Sequence, residues 1–350
     1  MQFHGNQVKA NWLFAMTIAA GISSTPLAAE TSTSINAAAS TANISARADL
    51  PPVALPNELL TSYTFSPDVR VLVQRRREPD ATKTTRVVLY TLPNANTIEH
   101  TFGRAEEPGQ DWHYQIQHIG AQTRRVQELL PDENLVTISL QAKEKSWPGW
   151  RKTHPDSSAT IRKLVETLHE EYGTTSTIDL VSHSGGGSFI FGYLNGVTEI
   201  PDYVRRIVFI DSNYAFDVEE GHAQKLHGWL TRSDERRLLV LAYDDRNIVL
   251  NGKPIVSATG GTFRSTSRMS AAFETSIPLE VGRDRDFITS TGLAGRVSLR
   301  AHVNPEGRIL HTVLVEKNGF VHALTAGTRA ENLSSPEDFY GERRYRNWIR

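Results

Sequence analysis

The run Ser182-His183-Ser184-Gly185-Gly186-Gly187 sets a serine hydroxyl between small residues two before and two after it. A chain that turns sharply from a strand into a helix accepts only small side chains at those flanks, because the turn crowds the backbone and strains the central residue. Ser182 and Gly186 meet that demand around Ser184. The free amides at the start of the following helix would point at the same spot, ready for a developing oxyanion. A phosphate-cradling or purely structural glycine turn is the competing reading. It loses ground because the sixth position counted from Gly185 is Ile190, so no dinucleotide fingerprint forms, and no Gly-x-x-x-x-Gly-Lys-Ser/Thr occurs anywhere.

The surrounding pattern decides where such a serine would stand. Val69–Gln74 and Arg86–Leu92 are short β-branched runs, and Leu135–Leu140 is a third strand. Tyr114–Leu130 has helical spacing closed by Pro131, and Ser157–Tyr172 buries Ile161, Leu164, Val165 and Leu168 at i, i+3, i+4, i+7. The strand Thr177–Val181 leads directly into the serine turn, and a helical stretch through Phe189–Leu194 follows it. Strands are expected next at Val204–Ile210, Arg237–Tyr243 and Ile309–Glu316, with a final helix over Pro336–Ile349. Alternating strands and helices predict an α/β fold, a three-layer sandwich with a mainly parallel central sheet. Functional groups then collect at the C-terminal ends of the strands.

At the serine turn the chain resembles the α/β-hydrolase superfamily, in element order over roughly residues 65–350. The departure is Ser182, where the usual pattern has glycine. The resemblance implies the order nucleophile, acid, histidine, with an imidazole taking the serine proton and a carboxylate fixing the imidazole tautomer. Of 12 histidines, His302, His311 and His322 follow the strand Arg237–Tyr243. With Ile309–Glu316 read as a strand, His311 lies inside it, His302 precedes it at the wrong end, and His322 follows it at the catalytic edge. His322 is therefore the expected base. The acid is expected just beyond Tyr243, where Asp245 is preferred, Asp244 is close behind, and Asp211 after Ile210 is the third choice. One oxyanion donor is expected at the Gly185 amide; the other falls to Asn94 or Ala95, since Pro93 has no amide to give. A plain Pro-Asn turn is the competing account of that loop.

Trp147 and Trp150 follow the strand that ends near Gln141, and Trp112 precedes the first long helix. Exposed at that edge they would stack on a sugar or an aromatic acyl group; the alternative is that they wedge loops against the core. His113 and His118 are five apart, off any single helical face, which argues against a zinc site. The segment Arg246–Arg308 exceeds one crossover and is expected to carry a specificity element.

Composition removes whole classes. There is no cysteine among 350 residues, hence no disulfide, Cys-ligated zinc, iron–sulfur cluster, thiol nucleophile or lipoprotein anchor. With 38 Lys and Arg against 39 Asp and Glu the net charge is −1, which gives no footprint for nucleic acid or an anionic membrane. No metal or cofactor is expected. Lys9, the apolar run Trp12–Ile22 and the small residues ending Leu27-Ala28-Ala29 read as a cleaved signal peptide, residues 1–29, too short to span a bilayer. Residues 30–54 read as a Ser/Thr/Ala-rich linker and 55–350 as one catalytic domain. The expected function is that of a secreted or periplasmic serine hydrolase acting on a small-molecule or polymer-derived ester. A peptidase, an amidase or an acyltransferase on the same fold, or a non-catalytic binding protein, are the rivals. A haloalkane dehalogenase is excluded, as it needs aspartate at position 184.

Overall fold

Strand β1 (Glu58–Phe65) pairs antiparallel with β2 (Val69–Arg76), and β2 pairs antiparallel with β4 (Glu133–Ala142). From there the sheet is parallel through β3 (Thr84–Thr91), β5 (Thr177–His183), β6 (Val204–Ile210), β7 (Arg237–Tyr243) and β12 (Val297–His302). Two antiparallel strands, β11 (Phe287–Gly292) and β10 (Leu279–Asp284), extend the far edge, giving the order β1-β2-β4-β3-β5-β6-β7-β12-β11-β10. The two-residue strands β8 (Val249–Leu250) and β9 (Lys253–Pro254) form a separate ribbon. The computed structural model describes residues 49–284, 286–331 and 341–350. The expected signal peptide, most of the linker and the first part of the expected last helix, at Pro336, lie outside the described residues.

Side chains alternate along each strand, so the sheet has two apolar faces and both are covered. Val87, Leu89, Ile178, Leu180, Ile207 and Phe209 face α3 (Trp147–Thr153), α4 (Ser157–Glu171), α5 (Gly187–Gly196), α6 (His222–Thr231) and α7 (Thr262–Glu274). Val88, Tyr90, Val181, Val208 and Ile210 face α1 (Ile98–Phe102), α2 (Ile119–Leu129) and α8 (Phe320–Thr325). The result is a three-layer α/β sandwich. The helix expected over 114–130 is shortened: a 3₁₀ turn occupies Trp112–Gln115, and α2 starts only after His118, which takes a left-handed φ of 48°.

Two buried arginines fix α8. Arg86 and Arg206, near the starts of β3 and β6, flank Asp179 of β5 on the face that α8 covers. Arg86 donates to the Leu324 carbonyl at 2.9 Å, and Arg206 donates to those of Ala323 and Ala326, each at 2.9 Å. Cations are favoured at the negative end of a helix, and Asp179 answers the remaining charge. The last turn of α8 thus lies over the N-terminal edge of the sheet.

The strand expected at 309–316 does not form. Leu314 bonds back to the Leu310 carbonyl and Glu316 to that of Thr312, which is helical pairing. Leu310, Leu314 and Val315 are buried at i, i+4, i+5, so the apolar run follows a helical period despite its β-branched residues. The last parallel strand is β12, and the loop after it, residues 303–310, runs from the C-terminal edge of the sheet.

Candidate functional site

β5 ends at His183, and Ser184 opens the turn into α5 with φ of 53°, a left-handed conformation uncommon outside glycine. The glycines after it answer to close backbone contacts. A Cβ on Gly186 would lie 2.1 Å from the Thr91 carbonyl oxygen, and one on Gly187 would lie 1.7 Å from that of Ser212. The hydroxyl at Ser182 is accommodated because β6 and the turn after it satisfy it, with the Val208 carbonyl at 3.2 Å and the Ser212 hydroxyl at 2.7 Å. Ser184 is half-buried, and its hydroxyl makes no hydrogen bond with another described residue.

Asp211 follows β6 with φ of 45°, and its amide donates to the Leu241 carbonyl at 2.6 Å. Its carboxylate is fully buried. One oxygen accepts from His311 Nδ1 and the other from the Thr262 hydroxyl, both at very short range. The Tyr214 hydroxyl stands 3.5 Å from the same Nδ1. The His311 ring lies 4.8 Å from that of His183, the neighbour of Ser184, and His183 Nε2 donates to the His311 carbonyl at 3.0 Å. Burial, then His311, hold His183 down to about 3, so it stays a neutral packing residue. His311 therefore has its Nδ1 proton committed to a carboxylate and its Nε2 unbonded among the described residues, next to the serine turn. Asn304 steadies the loop that bears it. Its side-chain amide donates to the carbonyls of Asp244 and Arg308, and its oxygen accepts the Arg308 amide at 3.0 Å.

The expected pair of Asp245 and His322 is not formed. Asp245 Oδ2 accepts the Thr262 amide at 2.9 Å, and its Oδ1 is buried without a hydrogen bond. His322 lies within α8, between Phe320, which packs edge-on against Tyr90, and Leu324, whose carbonyl holds Arg86. That is inside the helical layer, below the edge. The misplacement has one cause: taking 309–316 as a strand assigned the histidine loop to the wrong side of it. The alternation Val297, Leu299, Ala301, all buried, was the sequence signal for the true last strand. Asp211 was named in the sequence only as a third choice. Asp244 turns outward and pairs with Arg246, whose bond to it is the main cause of its lowered pKa.

The Asn94 side-chain oxygen would lie 2.1 Å from a Cβ on Gly185, so Asn94 sits directly over the turn. The Ala95 amide is already given to the Lys145 carbonyl at 2.8 Å, which removes it as a donor. Trp147 and Trp150 are each only 1% exposed, with their indole N–H groups on the Leu140 carbonyl and Asp68. They wedge α3 onto the sheet and offer no binding face. Trp112 is exposed and stacks on His113 at 3.9 Å. Among the described residues no group of three or more His, Asp or Glu is placed to hold a metal ion, and no helix is long and apolar enough to cross a membrane.

No protein-family profile matches the chain, and no curated protein matches it by sequence. Solved structures do. The chain is similar to a thermostable esterase at 12% identity and TM-score 0.44, over 77% of this chain and 61% of that one, so it spans about three fifths of that esterase. It is similar to esterase 2 of Thermogutta terrifontis at 8% identity and TM-score 0.37, over 72% of this chain and 85% of that one. It is similar to a feruloyl esterase module of Clostridium thermocellum at 11% identity and TM-score 0.42, over 78% and 91% respectively.

Proposed function

We propose that the chain is a serine hydrolase acting on carboxylic esters, with Ser184 as nucleophile, His311 as base and Asp211 as the acid that orients it. The observation that carries this reading is the buried Asp211–His311 pair set beside a strained serine turn. The Nδ1 bond to Asp211 leaves the Nε2 lone pair to accept the Ser184 proton as the oxygen attacks the ester carbonyl. The backbone N–H groups of Gly185 and Asn94 receive the carbonyl oxygen as it becomes an oxyanion. His311 then returns its proton to the leaving alcohol, and water repeats the sequence on the acyl-enzyme. The Ser184–His311 contact closes when substrate orders the serine rotamer, as is common for catalytic hydrogen bonds. Lys9 and the apolar run after it support export with residues 1–29 removed.

The test is labelling with a fluorophosphonate probe, then turnover of short- and long-chain p-nitrophenyl esters beside aminoacyl anilides. The adduct is expected on Ser184, and Ser184→Ala and His311→Ala are each expected to cost about 10⁴-fold or more in turnover, without additivity. An adduct on another residue, or full turnover in Ser184→Ala, would overturn the mechanism. Anilides cleaved faster than esters would move the substrate class to amides.

A further inference from the structure

Resting on that reading, we propose that Thr262, backed by Asp245, is a positioning pair that holds Asp211 in the one orientation His311 can use. A carboxylate bonded through a single oxygen can still rotate about its terminal bond. Here the second oxygen is tied by the Thr262 hydroxyl, so both ends of the Asp211 carboxylate are fixed. Thr262 is the first residue of α7, and its own amide is held by Asp245 Oδ2 at 2.9 Å. Gly261 permits that approach: it takes φ of 93°, and a Cβ there would lie 2.5 Å from both Asp245 oxygens. The next turn of α7 binds the same segment again. Ser265 donates to the Asn213 carbonyl at 2.6 Å, and the Asn213 amide donates to Thr266 at 3.0 Å. The helix α7 is thereby latched to the residues that carry the acid.

Asp245 adds a charge as well as an anchor. The groups facing it are Asp211 after β6, its neighbour Asp244 with Arg246 paired to it, and the hydroxyls of Tyr214 and Tyr243. Burial first and the Asp211 charge second raise its own pKa to about 6, against the Thr262 amide bond that lowers it. When ionised, it places a second negative charge beside Asp211.

The experiment compares Thr262→Val, Thr262→Ser and Asp245→Asn with the native chain in p-nitrophenyl butyrate hydrolysis, recording kcat, KM and the pH profile of kcat/KM. Thr262→Val keeps the shape and removes the hydroxyl; kcat is expected to fall about 10- to 100-fold, the range for losing a bond to a charged group, with KM unchanged. Thr262→Ser is expected to return kcat to within about threefold of native. Asp245→Asn keeps an acceptor for the amide but loses the charge, so the acid limb is expected to move to lower pH by about half a unit. Native kcat in Thr262→Val, or an acid limb unmoved in Asp245→Asn, overturns the inference. Should Thr262→Val fail to fold, the Asp245→Asn profile alone decides. If these variants behave as native while Ser184→Ala is dead, only this inference falls; if Ser184→Ala and Asp211→Asn stay active, the reading beneath it falls too.

Discussion

Replacing Asp211 by asparagine separates the paired acid from its neighbour Asp245. The change keeps size and removes one charge from a fully buried site whose oxygens serve His311 and Thr262. An imidazolium and a carboxylate about 4 Å apart attract by about 4 kcal/mol at the effective dielectric that describes protein sites, or about 10³ in rate. What happens next depends on Thr262. If its hydroxyl turns to accept from the new amide, asparagine keeps its carbonyl toward His311 and only the charge is lost. If the amide instead faces His311, it donates to Nδ1, forces the wrong tautomer and takes the loss to about 10⁴. The expected fall in kcat therefore lies between about 10³ and 10⁴, measured on p-nitrophenyl butyrate with KM recorded separately and the fold checked by circular dichroism. A loss under about tenfold in Asp211→Asn, or a larger loss in Asp245→Asn, would refute the assignment of the acid.

His322→Ala is expected to lower stability by about 1–3 kcal/mol, as for other truncations in a packed helix, while kcat of the folded protein stays within a few-fold of native; a 10³-fold fall in kcat would restore His322 as the base. His183, held to about 3, binds its proton on unfolding. Its contribution to stability is complete above the unfolded value near 6.5 and is lost as pH falls, about 2 kcal/mol of it by pH 5. Asp245 works in the opposite sense, its raised pKa of about 6 favouring the fold at low pH. Urea unfolding of the native chain and His183→Gln across that window isolates the histidine; equal slopes with pH in the two would show that His183 charges freely in the fold.

Much of the site's framework was legible because it depends on local spacing. β6 and β7 fall where β-branched and apolar runs put them, α4 follows its four-residue apolar stripe, and the small-x-Ser-x-Gly run marks the turn that Ser184 occupies. What escaped detection depends on distant partners. Ile309–Glu316 is as β-branched as a true strand, and only packing of Leu310, Leu314 and Val315 against the sheet makes it helical. β11, with Thr289, Ser290 and Thr291, carries too little apolar alternation to stand out from a loop. Asp211 and Asp245 both follow the ends of parallel strands. Their difference lies in which one meets an imidazole from about 100 residues further on, and no local pattern encodes that.

The loop closed by Asn304 has a thermodynamic consequence. Ordering a residue costs about 1–2 kcal/mol, so fixing the stretch between β12 and His311 costs on the order of 10 kcal/mol. That entropy is surrendered once, when the chain folds, and the Asn304 bonds to Asp244 and Arg308 keep it from being surrendered again at each encounter with substrate. His311 is thus held in place before any ligand arrives. The same economy sets a weak point. These few bonds open at a lower free energy than the ten-stranded sheet, so warming is expected to loosen His311 before it melts the fold.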